Sequence, residues 1–221
     1  MFDFQGLHYI LPAIIVALTF HEYAHGRVAY AFGDPTAKNA GRLSLNPLKH
    51  LDMLGTLLLV FAGFGWAKPV PINPFYFGAN RKRKIMLVSL AGPVANILEA
   101  VIGAALLSLL LHQAKGYNAV VFYFVQFFSY FVVINCVLAV FNLIPIPPLD
   151  GSKILAGLLP NHKMDIIFML DRYGFLILML LMFLPTILGW FGLPRIDILG
   201  KIISIPAGWL VDGIYFLVGL S

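Results

Sequence analysis

The 221-residue chain is poor in charge: 11% of its residues are Asp, Glu, Lys or Arg, against 60% that are hydrophobic. Mean hydropathy is +0.89, more than the surface of a water-soluble globule tolerates, so the composition excludes a soluble domain and predicts an integral membrane protein. A single cysteine, Cys136, excludes an intramolecular disulfide and argues against a thiolate metal site. Set inside an apolar run, it is expected to be a small buried or lipid-facing side chain. The opening residues MFDFQGLHYI lack a basic stretch, and no small-residue cleavage pattern follows them, so the first apolar helix is expected to stay. No phosphate-cradling glycine pattern and no serine nucleophile elbow occurs, which leaves ATP-driven and serine-hydrolase chemistry without support. The net charge of +5 sits in loops beside apolar spans rather than on one basic face. It reads as a topology signal, not as a nucleic-acid footprint. Glutamate is scarcer still, present only as Glu22 and Glu99.

What is abundant is apolar length. A bilayer core of about 30 Å needs about 20 helical residues, and four segments meet that length clearly, roughly 7 to 31, 85 to 112, 118 to 141 and 166 to 190. A fifth, roughly 198 to 220, is interrupted by Pro206, Gly208, Asp212 and Gly213. The stretch LGTLLLVFAGFGW, residues 54 to 66, is apolar but too short to cross and is expected to re-enter or insert partly. The expected fold class is therefore an all-α polytopic membrane protein of about five transmembrane helices with a re-entrant segment.

The loop from Phe32 to Lys84 carries Lys38, Arg42, Lys49, Lys68 and the cluster Arg81 to Lys84, whereas the next loop has only Lys115. By the positive-inside rule the first loop is cytosolic and the amino terminus lies outside. The cluster is read as a stop signal, with binding of anionic lipid as the alternative. Helix one then enters the cytosol near Tyr30, and helix three ends near Phe141 on the same side. Had residues 54 to 66 crossed the bilayer, the later helices would invert and Asp150 would lie across the membrane from His21.

One short stretch breaks the apolar monotony. In HEYAH, residues 21 to 25, His21 and His25 are one helical turn apart on one face, with Glu22 beside them. Two imidazoles at this spacing suit Zn²⁺, with the glutamate as general base toward the water that the metal activates. Coincidence is the alternative, but ionisable groups deep in a bilayer each cost roughly 2.5–3.5 kcal/mol on insertion scales, and three together need a physical reason such as a bound dication. A third protein ligand must come from elsewhere. Asp150 is the best candidate, because it follows a rigid run with Pro145, Pro147 and Pro148 where helix three reaches the same face.

Three motifs, HEYAH at 21 to 25, AGPVAN at 91 to 96 and NLIPIPPLDG at 142 to 151, together resemble the site-2 protease family of intramembrane zinc metalloproteases. Supporting similarity runs through GRLSLNPLKHLD at 41 to 52 and WAKPVPINP at 66 to 74, so the resemblance covers roughly residues 7 to 160. It implies one Zn²⁺ per chain held by His21, His25 and Asp150, with Glu22 as catalytic base and Asn96 and Asn142 near the site. The resemblance is to the short form of the family, and no PDZ or CBS module is expected. The expected organisation is a protease core over residues 1–160, followed by further transmembrane helices of the same membrane domain over residues 161–221.

The expected activity is hydrolysis of membrane-anchored proteins within or near the cytosolic side of the cell (inner) membrane. The partners are then a transmembrane protein substrate and the lipid bilayer, with no nucleic acid. Asn96 and Asn142 are candidates for stabilising the oxyanion or positioning substrate. The alternatives are hydrogen bonding to carbonyls freed by the prolines for Asn142 and a small-residue helix contact for Asn96. Glu99, inside an apolar span, is by default a functional candidate, with a protonated, structurally paired carboxyl as the alternative, and no catalytic role is assigned to it. GRLSLN and KPVPIN are suited to short strands near the cytosolic face whose edge receives an extended peptide, or else to irregular loops. His8, His50, His112 and His162 read as polar interfacial residues. The rival function is a membrane metal carrier whose histidines bind a travelling ion.

Overall fold

The computed structural model describes residues 6–62, 65–113, 118–160 and 164–220. Eight α-helices are present among them: α1 (Leu7–Ala31), α2 (Thr36–Asn39), α3 (Met53–Ala62), α4 (Arg81–Gln113), α5 (Ala119–Leu143), α6 (Asp150–Leu158), α7 (Met164–Trp190) and α8 (Ile198–Leu217). Five of the helical stretches, those holding α1, α4, α5, α7 and α8, are long and apolar enough to cross a membrane. The chain is thus an all-α, multi-pass membrane protein. Lys115 and His162 lie outside the described residues, as do residues 63 and 64 of the short apolar stretch.

Local chemistry explains the boundaries. The chain leaves α1 through Gly33, whose φ of +96° few other residues adopt. The side chain of Asn118 accepts a hydrogen bond from the Val121 amide to start α5, and Asp197 does the same for Gly200 at the start of α8. Pro145 follows the extended Ile144 that ends α5. Pro206, Gly208 and Gly213 do not break α8, because Ala207 and Ile214 are buried against Ala100 and Ala104 of α4 and Val132 and Cys136 of α5. Small residues let these helices approach closely. A Cβ on Gly103 would come within 2.7 Å of Phe131, so α4 and α5 cross there only because glycine leaves room. Cys136 is fully buried in that contact, as expected.

The stretch around α3 returns to where it began. Leu51 pairs with Ala67 in an isolated antiparallel bridge, the Lys68 amide donates to the His50 carbonyl at 2.8 Å, and Gly55 lies against the backbone of Trp66. A segment whose two ends are paired does not cross a bilayer, so the helices after it keep the parity on which the meeting of His21 with Asp150 depends. GRLSLN and KPVPIN form no strand ladder: that one bridge is the only pairing among the described residues, and both segments run as irregular chain. Side chains hold them instead. Asp34 is fully buried and accepts hydrogen bonds from the amides of Thr36 and Asn73, while Arg42 donates to the Lys68 carbonyl at 2.5 Å. His50, expected at the interface, is 1% exposed and its Nε2 is 2.6 Å from the Ser44 carbonyl. A lone histidine in a loop near a membrane end suggested the interface, but the folded loop buries the ring as a brace. His112 fits the expectation, exposed at the far end of α4 with Nδ1 on the Ser108 carbonyl.

Candidate metal centre

The helical spacing of α1 stacks His21 and His25 one turn apart, with ring centroids 4.6 Å apart and the rings nearly perpendicular. Both are buried. Each Nδ1 has an oxygen partner on α4. His21 Nδ1 is 2.7 Å from Asn96 Oδ1, and His25 Nδ1 is 2.7 Å from the Val88 carbonyl. A carbonyl oxygen only accepts, so each Nδ1 carries the proton and each Nε2 presents a bare lone pair. Asn96 is oriented in turn: its amide nitrogen donates to Asn135 Oδ1 at 2.8 Å and to the Ala17 carbonyl at 3.3 Å, and Asn135 donates to the Phe131 carbonyl.

The third donor comes from the turn after α5. The Pro147–Pro148 peptide is cis, and α6 begins at Asp150. A Cβ on Gly151 would collide with the Leu143 and Ile144 carbonyls, so glycine is what allows α6 to fold back against the end of α5 and aim Asp150 at α1. Asp150 Oδ2 lies 3.2 Å from His21 Nε2 and 3.0 Å from His25 Nε2, and the two Nε2 atoms are 3.0 Å apart.

This triangle tests whether a metal fits. Three lone-pair donors in mutual van der Waals contact, in a buried setting, repel one another unless a cation sits among them, and Asp150 Oδ2 has no hydrogen-bond donor of its own. Tetrahedral zinc with bonds of about 2.0–2.2 Å sets its ligand atoms about 3.3–3.6 Å apart, a few tenths of an ångström beyond the separations present. These three residues are the only such cluster among the described residues. Gly92 completes the cradle: a Cβ there would come within 2.5 Å of both His21 Cε1 and His25 Nε2. The donor set and the space fit zinc.

Glu22 borders the centre in a cavity of about 460 Å³ that Trp66, Ile72, Asn142 and Lys153 also line. Its Oε2 accepts a hydrogen bond from the Val70 amide at 2.8 Å, which ties the irregular segment after α3 to α1. Asn142 lines the same cavity and donates from Nδ2 to the Leu138 carbonyl at 3.0 Å. Asn96 does not line it: both amide hydrogens and the oxygen are engaged behind His21, which leaves no donor for an oxyanion. Glu99 lies outside this cavity as well. Asn135, the Val88 carbonyl, the Val70 amide and Gly92 were not foreseen. Of these, Gly92 lies inside AGPVAN and Val70 inside KPVPIN, stretches singled out for other reasons.

The sequence profile of Peptidase family M50 matches residues 108–183, the portion that includes Asp150. A Bacillus subtilis (strain 168) protein named "Putative zinc metalloprotease YwhC" is 46% identical over 180 residues, 80% of this chain and 81% of that protein. Proteins named "Putative zinc metalloprotease Rip2" from Mycolicibacterium smegmatis and Mycobacterium tuberculosis (strain H37Rv) are 31% and 30% identical, each over 82% of this chain and 69% of the relative. No solved structure matches. With five membrane-spanning helices and a donor set that accepts zinc, the chain belongs to peptidase family M50, the zinc-dependent site-2 proteases of membranes.

Proposed function

We propose that this membrane zinc metalloprotease holds its metal with His21, His25 and Asp150 and cleaves membrane-anchored proteins within or near the cytosolic side of the bilayer. The observation that carries the reading is the pair of imidazoles with both Nδ1 atoms on carbonyl oxygens, which turns two Nε2 lone pairs onto one ionised carboxylate. Zinc bound there supplies Lewis acidity that activates water and polarises the scissile carbonyl. Glu22, steadied by the Val70 amide, takes the proton from the attacking water and delivers it to the departing amine. Asn142 keeps one amide hydrogen on Leu138 and offers the second to the substrate carbonyl as charge develops. Asn96 acts on His21, holding its tautomer, rather than on the oxyanion.

A helical substrate has its amides hydrogen-bonded internally, so it unwinds locally before a carbonyl enters the cavity. The basic cluster Arg81 to Lys84 at the start of α4 supports a cytosolic position for this end of the helix and hence for the centre. Residues 1–160 carry every proposed ligand, and α8 packs onto α4 and α5, which supports one membrane domain with residues 161–221 as its continuation. Nothing in the geometry favours a metal carrier, because the ligands converge at one level instead of being spaced across the membrane.

The deciding experiment uses purified Glu22→Gln protein in bilayers. The protease reading expects zinc retained and cleavage lost; appreciable zinc flux with cleavage absent in the unmodified protein would replace it with the carrier. Sidedness is tested with Lys38→Cys, at an exposed position. A membrane-impermeant thiol reagent applied to intact cells should label it only after permeabilisation.

A further inference from the structure

Glu99 lies one turn beyond Asn96 on α4 and takes no part in the metal centre. It is 8% exposed, and its Oε2 has no hydrogen-bond partner. Such a group carries the full penalty of having left water without a replacement bond. It contributes the one polar side chain to a groove of about 450 Å³ between α1, α4 and α5, whose other walls include Phe20, Leu98, Ile102 and Phe128. The groove opens sideways, since Phe20 is 40% exposed and Leu98 and Ile102 are each 58% exposed.

Depth restricts what fills it. At 1.5 Å per residue, Glu99 is about 27 Å along α4 from Arg81, with about 21 Å of helix still to run before Gln113. That level lies within the hydrocarbon layer, where lipids present acyl chains alone and water is absent. Neither supplies a hydrogen-bonding group to a buried carboxyl, whereas the side chain of another transmembrane segment does. Phe20 of the groove wall directly precedes His21, so a helix seated here runs alongside the helix that carries the metal ligands.

We infer that this groove docks the transmembrane helix of the substrate, with Glu99 hydrogen-bonded to a hydroxyl, carboxamide or amine that the helix carries near mid-membrane. This rests on the protease reading and specifies the substrate class the enzyme holds. Selection follows from an asymmetry: a helix with a polar group at that level satisfies Glu99, and a wholly apolar helix leaves it unpaired.

The test measures binding rather than turnover. Zinc-loaded protein in lipid nanodiscs is titrated with two fluorescent Leu/Ala model helices of about 21 residues, one with a central Asn and one with Leu in its place. Interhelical hydrogen bonds in membranes predict about three- to twentyfold tighter binding of the Asn helix. Glu99→Leu should reduce that ratio to one and Glu99→Gln should keep most of it, with zinc content unchanged in both. An equal ratio in the unmodified and Glu99→Leu proteins would overturn the inference. So would Glu99-dependent self-association without peptide, which would make a second copy the occupant. Zinc content and Glu22-dependent cleavage are read separately, so failure of the protease reading would show there while the binding ratio still reports on the groove.

Discussion

Helices α4 and α7 have nearly the same hydropathy over their most apolar windows, 2.2 and 2.0, yet 33% of the first window is buried inside the protein and only 11% of the second. On α4 the buried positions include Ser89, Gly92, Asn96, Glu99 and Gly103. On the described part of α7 they are Gly174 and Leu178. Against lipid, apolar side chains gain little by facing one way or another, so hydropathy reports that a helix is in the membrane and is silent about its neighbours. The informative residues are those hydrocarbon disfavours, polar and very small ones, because only protein contacts give a reason for them.

The sharpest way to break that contrast is to remove a proposed ligand. Asp150→Ala should take bound zinc from one per chain to near zero and bring cleavage to background, as read by elemental analysis and a reporter assay; stoichiometric zinc in that variant would dismantle the centre described here. Gly92→Ala tests the cradle. The added methyl, 2.5 Å from both rings, should displace His21 or His25 and lose most of the zinc, whereas Gly208→Ala on α8, where nothing lies within 4 Å of the new methyl, should leave zinc and cleavage unchanged. Asn135→Ala acts two bonds away: by loosening Asn96 it should weaken zinc affinity by about 10- to 100-fold, measured by competition with a chelator, with the fold intact by circular dichroism. The smallest effect belongs to α7. Leu176→Ala, at a position 68% exposed, should change thermal stability by no more than about 0.5 kcal/mol.

Much of this architecture was legible beforehand, and the reasons are specific. Helix ends were found to within a few residues because the spans are long and their stops are chemical, such as Pro145 after α5. His21, Glu22, His25 and Asp150 stood out because charge is rare in such a chain, and their convergence followed once residues 54 to 66 were denied a full crossing. The supports of the centre were not legible. The Val88 carbonyl and the Val70 amide belong to the backbone, which every residue shares, and no side-chain identity announces which of them will face a histidine or a glutamate. Asn135 sits in an apolar run on a third helix, and its link to His21 exists only through Asn96. His50 was misplaced for the opposite reason. A lone polar residue in a loop beside the membrane signals the interface, and only the folded loop shows that Ser44 and the surrounding chain enclose it.

One consequence concerns where a substrate is cut. His25 is held by Val88 and His21 by Asn96, positions about 10 and 22 Å along α4 from Arg81, so the centre rides on a single rod at a set interval from its basic collar. On the proposed protease reading the enzyme works as a ruler: the bond hydrolysed is whichever one stands level with that mark, and the letters around it matter less than its elevation. Swapping the bilayer for a thinner or thicker one should slide the substrate past the mark and move the scissile bond along its sequence.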